Sequence, residues 1–541
     1  MTRLKHEGAG RKLMLVDDLP PEDLAMLQGL YSRSAESVET HFDRVAKGGS
    51  SRFMENYVAG YNHKSIADCG TTTLFIEGVS LLAAKAIQDW PLYSGQETST
   101  RYIDMAKQPM IDPVDSPESL TIQRRWLQFY TESRAEVERH VQAQHPQREG
   151  ESDKAYAGAV KARTFDILRG FLPAGITTQL SWHTNLRQAG DHLNGLCRHP
   201  SAEIQAIGLE LRALLTHAYP DSGLAKNLPS VSGVKADRDA ERDAWDARVT
   251  AETTYVTALP GPSGTFFDFN FLRLSRSERA LLADRPRGCV LPHFMTMVGA
   301  ARILSFLDFG SFRDLQRHRN GVCQMPLLTM AHGFESWYLE QLPLGLHPRV
   351  HGLLENQARM IAALPCDEVA RQYYMPLGQR VAVDAYYALP ALVYILEMRS
   401  AKTVHPTLRK LILSIADAFR AELDRPVALH IDTDVDDWTV RRGLQTIEVR
   451  GAQGPISPCA GQAGPTGLDP DAAPVNARGR AILSKDMPVG CTHNPNERCE
   501  ACTEAVRVDQ DDTGQKPSTL SSLISGGRDD GQRNHDDGDA P

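Results

Sequence analysis

The sequence predicts an α+β chain in which one fold is built twice in tandem, followed by a disordered C-terminal tail. Three observations carry this expectation. Arg169-Gly170-Phe171-Leu172-Pro173 precedes Asn185-Leu186-Arg187 at the spacing at which Gln372-Tyr373-Tyr374-Met375-Pro376 precedes Ala388-Leu389-Pro390, a self-similarity much longer than a solenoid repeat. Between Tyr219 and Glu252 the composition shifts to Gly, Pro, Ser and dense mixed charge, which marks a domain boundary. Beyond Gly451 the chain is rich in Gly, Pro, Asp and Ser and cannot bury enough apolar surface to offset its ordering entropy. The expected units are a first copy over 1–225, a linker over 226–252, a second copy over 253–450 and an acidic tail over 451–541.

In chain order, residues 13–16 read as a strand leading to a helix over 21–32. Helices are expected over 71–87, 116–140, 174–196 and 202–218. Ser116 is placed to cap the second of these, with Pro117 in its first turn. The last carries Ile204, Ile207, Leu211, Leu214 and Leu215 on one stripe. In the second copy the strongly apolar run 303–307 reads as a buried helix leading to Arg317. Long helices follow over 382–398 and 407–423, the latter opened by Pro406 and followed by Pro426.

A chain of 541 residues, 41% of them apolar, has ample material for two cores. The N-terminal segment has no apolar run like a signal peptide, and no stretch approaches the ~20 apolar residues that span a bilayer, so a cytoplasmic protein without a membrane partner is expected. Nine cysteines, mostly single in apolar context (Cys69, Cys197, Cys289, Cys323, Cys366), read as reduced thiols. The net charge of −9 lies largely in the tail, where residues 504–541 hold nine acidic against four basic residues. A nearly balanced body offers no broad basic face for nucleic acid, but leaves room for a local arginine pocket.

The chemistry concentrates in two arginine signatures, Gln96-Glu97-Thr98-Ser99-Thr100-Arg101-Tyr102 and Arg317-His318-Arg319. Guanidinium forks bind phosphate bidentately, and a Ser hydroxyl with nearby amides fills the remaining positions. Either signature alone reads equally well as a polar loop or an exposed helical face, and Arg399 alone as a helix-closing cation. The apolar run before Arg317 favours burial, and buried arginines need anionic or hydrogen-bonding partners. In the tail, Cys491, His493, Cys499 and Cys502 are a weak zinc candidate in an unusually compact spacing; the bland reading is an exposed tail with incidental cysteines.

These residues resemble the flavin-dependent thymidylate synthases, whose members carry Arg-His-Arg, seven residues, then Ser-x-Arg-Tyr, with His-x-Ser upstream and Asn-x-Arg downstream. Over roughly residues 10–425 the chain resembles two such domains with complementary losses. The first copy keeps His63-Lys64-Ser65, Ser99-Thr100-Arg101-Tyr102 and Asn185-Leu186-Arg187, but has Asp89-Trp90-Pro91 in place of Arg-His-Arg. The second keeps Arg317-His318-Arg319 and Arg399, but has Leu327-Leu328-Thr329-Met330 in place of Ser-x-Arg-Tyr, and Asp314 where the family usually has Gln.

The resemblance implies two tandem domains of a mixed sheet with long helices, and C5 methylation of dUMP to dTMP with FAD as cofactor. Methylenetetrahydrofolate and NADPH would be further partners, in a homodimer that imitates a tetramer. It implies Arg399 as the catalytic group. Glu97, Ser99, Arg101, Arg169 and Arg317 would hold the nucleotide. Ser65, Asn185, Arg187, Arg317, His318 and Arg319 would hold FAD. The reciprocal pairing, having lost its arginines, is expected to be dead. Alternatives are methylation of UMP or a related pyrimidine nucleotide in secondary metabolism, and a non-catalytic flavin- or nucleotide-binding protein.

Overall fold

The computed structural model describes residues 4–8, 11–16, 19–48, 64–220, 222, 244, 245, 247–249, 265–272, 274–422, 428–434 and 436–439. His63, most of the expected linker, and the whole 451–541 tail with Cys491, His493, Cys499 and Cys502 lie outside these residues. Met1–Gly461 groups as one compact unit, so both copies belong to a single body.

The first copy begins with a hairpin, β1 (Leu4–Gly8) and β2 (Arg11–Leu15), followed by α1 (Pro21–Tyr31) and α2 (Val38–Gly48). A 3-10 segment, Lys64–Cys69, leads into β3 (Thr71–Ser80) and α3 (Leu81–Gln88). Then come α4 (Pro117–Glu132), α5 (Arg134–Gln144), α6 (Asp153–Leu168), β4 (Thr177–Asn185), α7 (Leu186–Leu196) and α8 (Ala202–Ala218). The second copy runs β5 (Phe266–Phe271), α9 (Arg276–Ala283), β6 (Gly299–Asp308), α10 (Phe309–Gln316), β7 (Gly321–Gln324), α11 (Ser336–Glu340), α12 (His347–Ala362), α13 (Glu368–Arg371), β8 (Arg380–Ala388), α14 (Leu389–Arg399) and α15 (Pro406–Glu422). In each copy a strand turns directly into a helix, helices intervene, and a second strand turns into a helix before a last long helix.

The α+β class is therefore as expected, with pairings among the described residues antiparallel throughout: β3–β4 in the first copy and β5–β6–β8–β7 in the second. Three expected helices, over 71–87, 174–196 and 382–398, are each a strand followed by a helix. The run 303–307, expected in a helix, lies in β6 between β5 and β8. Strands rich in Thr, Val and Ile merge without a gap into apolar helices, so hydrophobicity alone reads through the turn. The cap marks it instead. Ser80 accepts from Ala83 N–H (3.0 Å), Asn185 from Gln188 N–H (2.8 Å) and Asp308 from Ser311 N–H (2.9 Å), each side chain satisfying a helix N–H that has no intrahelical acceptor. At Ala388 the turn relies on Pro390 in the first helical turn. The helix expected over 116–140 is split at Ser133 into α4 and α5.

The two copies clasp each other through corresponding backbone segments, 169–175 and 372–378. Ala174 N–H donates to Met375 O (2.8 Å), and its counterpart Leu377 N–H donates to Leu172 O (2.8 Å). Gly175 N–H donates to Tyr373 O (2.8 Å), and Gly378 N–H to Gly170 O (2.8 Å). Pro173 pairs with its own counterpart Pro376 across the centre, as a pseudo-two-fold axis requires. One apolar core runs through both copies and includes Trp126, Phe129 and Phe171 with Tyr374, Leu389 and Phe419. Trp126 Nε1 donates to Tyr374 O (2.9 Å), and Gln357 Nε2 to Ile122 O (2.7 Å). A second core of the first copy lies under α1, α3 and α7.

Only glycine fits at the clasp. A Cβ on Gly175 would lie 2.8 Å from Ile111 O and 2.9 Å from Tyr373 O, both backbone atoms that cannot swing aside. Gly175→Ala is expected to cost about 1–3 kcal/mol, measured as a lowered denaturant midpoint, whereas alanine at the open Gly195 should be tolerated.

Candidate functional site

The pseudo-two-fold axis generates two corresponding places between the copies. At one, the C-terminal ends of α10 and α14 of the second copy meet the 96–102 loop and Arg169 of the first. Glu97 (side chain 2% exposed) pairs with Arg313, lies 3.7 Å from Arg317 and accepts from Gln88 Nε2 at 2.6 Å. The two signatures, more than two hundred residues apart, therefore face each other within one chain.

Around this contact is a dense guanidinium cluster. Arg101 is held in a fork by Asp166 (2.7 and 3.1 Å) and donates to Thr403 O (3.0 Å). Arg169 (2% exposed) donates to Ser311 Oγ at 3.0 Å and lies 3.5 Å from Asp314 and 3.9 Å from Asp308. Asp308 is fully enclosed and is satisfied by Ser311 N–H, by Tyr338 O–H (2.8 Å) and by Thr407 Oγ1 (2.6 Å). Arg399 Nε donates to His318 Nε2 (2.6 Å) and Nη2 to Asp314 O (2.9 Å). Arg319 donates to Gln88 O (3.1 Å) and lies over the Tyr93 ring at 4.5 Å, a cation–π contact.

The electrostatics follow from this crowding. Burial alone would raise the Asp314 carboxyl, but the guanidiniums of Arg317, Arg169, Arg101 and Arg399 hold it below the usual carboxylate range. Burial, with Arg399 and Arg319 alongside, pushes His318 down to about 3, so the ring is neutral and its Nε2 lone pair is free to accept from Arg399. Six guanidiniums (Arg101, Arg169, Arg313, Arg317, Arg319, Arg399) stand against four carboxylates (Glu97, Asp166, Asp308, Asp314), which leaves two positive charges in excess. Buried Arg169 Nε, Arg313 Nε and Asp314 Oδ2 have no hydrogen-bond partner. An interior with excess charge and unfilled donors is costly unless an anion completes it.

The structure brings together Glu97, Ser99, Arg101, Arg169, Arg317, His318, Arg319 and Arg399. Ser99 Oγ accepts from Arg101 N–H at 3.2 Å, ordering its own loop. Ser65, Asn185 and Arg187 form a separate group: Asn185 caps α7, and Arg187 pairs with Asp68 (2.7 Å) and Asp191 (3.3 Å) beside the exposed Ser65. The two groups are joined by α7, whose C-terminal residues Asn194 and Gly195 line one cavity with His318 and Arg319. Ten residues of helix separate Asn185 from Gly195, about 15 Å at 1.5 Å per residue.

Sequence reasoning missed Arg313, Asp166 and Asp308. Arg313 lies one turn before Arg317 on α10, and Asp166 lies three residues before Arg169. The signal available was the rule that buried arginines require carboxylates; Asp308 was legible as an N-cap three residues before Ser311.

Fold and site together define an α+β body in which residues from both halves of the chain meet at one arginine-rich centre. Residues 15–221 match the family model described as thymidylate synthase complementing protein. The chain is 23% identical over 417 residues to a UPF0159 protein of Chlamydia muridarum, covering 67% of this chain and 77% of the relative. To a UPF0159 protein of Thermoplasma acidophilum it is 22% identical over 495 residues, covering 79% of this chain and 98% of the relative. Both aligned spans exceed one copy. A solved flavin-dependent thymidylate synthase of Helicobacter pylori, complexed with FAD and dUMP, aligns at 13% identity with a TM-score of 0.25, over 39% of this chain and 96% of that one. Among the described residues no helix is long and apolar enough to cross a membrane, and no group of three or more His, Cys, Asp or Glu residues could hold a metal.

The neutral state of His318 has a measurable consequence. Its folded pKa lies below the unfolded value near 6.5, so the unfolded chain binds the extra proton as pH falls from about 6.5 toward 3, and stability drops over that window. His318→Gln is expected to flatten this acid limb, seen as a smaller change in denaturant midpoint between pH 7 and 4.

Proposed function

We propose that this chain is a flavin-dependent C5 methylase of a uridine monophosphate nucleotide, converting dUMP to dTMP at the arginine-rich centre. One observation carries the reading: Glu97 and the Arg101 loop of the first copy meet Arg313, Arg317 and Arg399 of the second within one chain, so two individually incomplete motifs together form one cationic site. Its excess of two positive charges matches a phosphate dianion, for which forked guanidiniums are the best side-chain partners.

The residues present fit FAD. Arg187, in the first turn of α7 and paired with Asp68 and Asp191, would have to exchange a carboxylate for the diphosphate, and the two groups expected to contact FAD lie at opposite ends of that helix. A dinucleotide is long enough to serve both. FAD when bound would supply hydride, and methylenetetrahydrofolate the one-carbon unit, with NADPH as the external reductant. Arg317 and Arg101 would hold the phosphate, with Arg169 and Glu97 fixing the arginine geometry around it. Arg399, oriented by neutral His318, would stand against the pyrimidine edge. There a guanidinium favours negative charge developing over N3 and O4, which makes C5 nucleophilic without a cysteine. A dimer would carry one such site per chain. Asp314, set among the same arginines, adds a negative charge beside the nucleotide and leaves UMP as the alternative substrate.

The test is turnover with dUMP and UMP by purified, FAD-loaded protein. Arg399→Ala should lower kcat by roughly 10²-fold or more with flavin binding retained, whereas Arg319→Ala and Arg187→Ala, from different copies, should each weaken flavin binding. Wild-type turnover by the Arg399 variant, or undiminished flavin binding after both other substitutions together, would reject the reading.

A further inference from the structure

Beyond α15, residues 428–434 and 436–439 lie against the loop that joins α14 to α15. That loop adjoins two arginines of the centre: Arg399 immediately precedes it, Thr403 O accepts from Arg101 Nη1 at 3.0 Å, and at its end His405 Nε2 reaches Asp166 O at 3.3 Å. The segment is tied down at both ends. In the second copy Ala428 O accepts from Arg285 Nη2 (2.9 Å) and His430 N–H donates to Glu397 (2.8 Å). In the first copy Arg163 pairs with Asp437 (2.6 Å), and the Trp438 ring stacks on His145 at 4.4 Å. It is a strap across both copies.

Between those ends a buried residue of α15 joins the strap to the loop. Arg409, 6% exposed, donates from Nε to Ser400 O (2.7 Å), one residue after Arg399, and from Nη2 to Asp432 O (2.8 Å) and Asp434 O (2.6 Å). Asp432 N–H donates back to Ser400 Oγ (3.3 Å), and Lys402 pairs with Asp434. The first copy has a lesser version of this tie. There Gln205, the counterpart of Arg409, donates to Cys197 O, the counterpart of Ser400 O, at 3.3 Å, its single side-chain bond among the described residues. A guanidinium fork that bonds carbonyls of two segments holds them at a fixed separation. The fork is present in the copy that carries Arg399.

We propose that Arg409 is a positioning residue for Arg399, acting through the strap to fix the end of α14 and the 400–405 loop. Arg399's own bonds, to His318 Nε2 and Asp314 O, set the head of its side chain, whereas Arg409 sets the backbone from which that side chain extends. Arg101 is steadied from the same loop through Thr403 O. The positioning stands on this geometry alone, and its consequence for turnover rests on the methylation reading.

The experiment follows the rate at which phenylglyoxal modifies individual arginines of the full chain, read by peptide mass spectrometry, with Arg187 and Arg302 as references away from the strap. Arg409→Gln reproduces the first copy's arrangement: it keeps a donor for Ser400 O and loses the bonds to the strap. Modification of Arg399 should become about tenfold faster, the scale of one or two lost charge-assisted hydrogen bonds, with the references unchanged. Arg101 should respond less, because Asp166 still holds its fork. Where Arg409→Gln does not fold, Lys402→Met, which cuts the other side-chain tie between loop and strap, decides by the same selective increase. An unchanged rate at Arg399 overturns the proposal, and so does an equal increase at Arg187 and Arg302, which is general loosening. In FAD-loaded protein that turns over dUMP or UMP, Arg409→Gln should lower kcat by up to roughly 10²-fold with KM little changed, as a slight misplacement of a reacting group does. Selective labelling of Arg399 in a protein whose wild type turns over neither nucleotide supports the strap and rejects the methylation reading, so the two failures give different results.

Discussion

The arrangement depends on the clasp between 169–175 and 372–378. Four reciprocal backbone hydrogen bonds around the Pro173–Pro376 pairing place each copy's Pro-containing turn against the other's. They also set where Arg169 and Gln372, at the starts of the two segments, enter the interface. Because the bonds are backbone to backbone, the clasp constrains only the glycines that allow close approach, and side chains on either side can differ freely. Shared core packing through Trp126, Phe171 and Tyr374 then holds both copies in register. The position of every charged group in the centre follows from this geometry.

Charge is what distinguishes the two places that the clasp creates. Six guanidiniums, five of them buried or partly buried and Arg317 exposed, could not share one locus without carboxylates between them, and Asp166, Asp308, Asp314 and Glu97 supply these. The carboxylates do more than neutralise: Asp166 orients the fork of Arg101, and Glu97 draws Arg313 and Arg317 to one place. His318, forced neutral, serves as an acceptor amid cations, a role that a protonated imidazole could not take.

Much of this was legible in the sequence, and the failures have one physical cause. The helices α1, α8 and α15 were readable from spacing and helical stripes. The strands β3, β4, β6 and β8 were not, because β3, β4 and β8 run without a gap into the helices that follow them and β6 into α10, and periodicity over such a joined run does not separate the two states. The caps Ser80, Asn185 and Asp308 held the missing information. Within the site, the arginines stood out by motif but their carboxylates did not. A partner such as Asp166, 65 positions from Arg101 in the chain, is chosen by tertiary packing that no local pattern encodes.

The tandem arrangement itself supplies the last step. In an assembly of identical subunits related by a two-fold axis, any residue placed at one of two equivalent sites appears at the other, so charge cannot be concentrated in one and withdrawn from its mate. Covalent duplication removes that constraint while the backbone clasp preserves the geometry. Arg317 and Asp89, or Arg399 and Leu196, occupy corresponding positions yet answer to different demands. The cost of crowding six guanidiniums is then borne once per chain instead of twice, and the freed counterpart can lose its ions and keep its volume. An open cavity beside a cationic centre is what this division of one symmetric interface would produce.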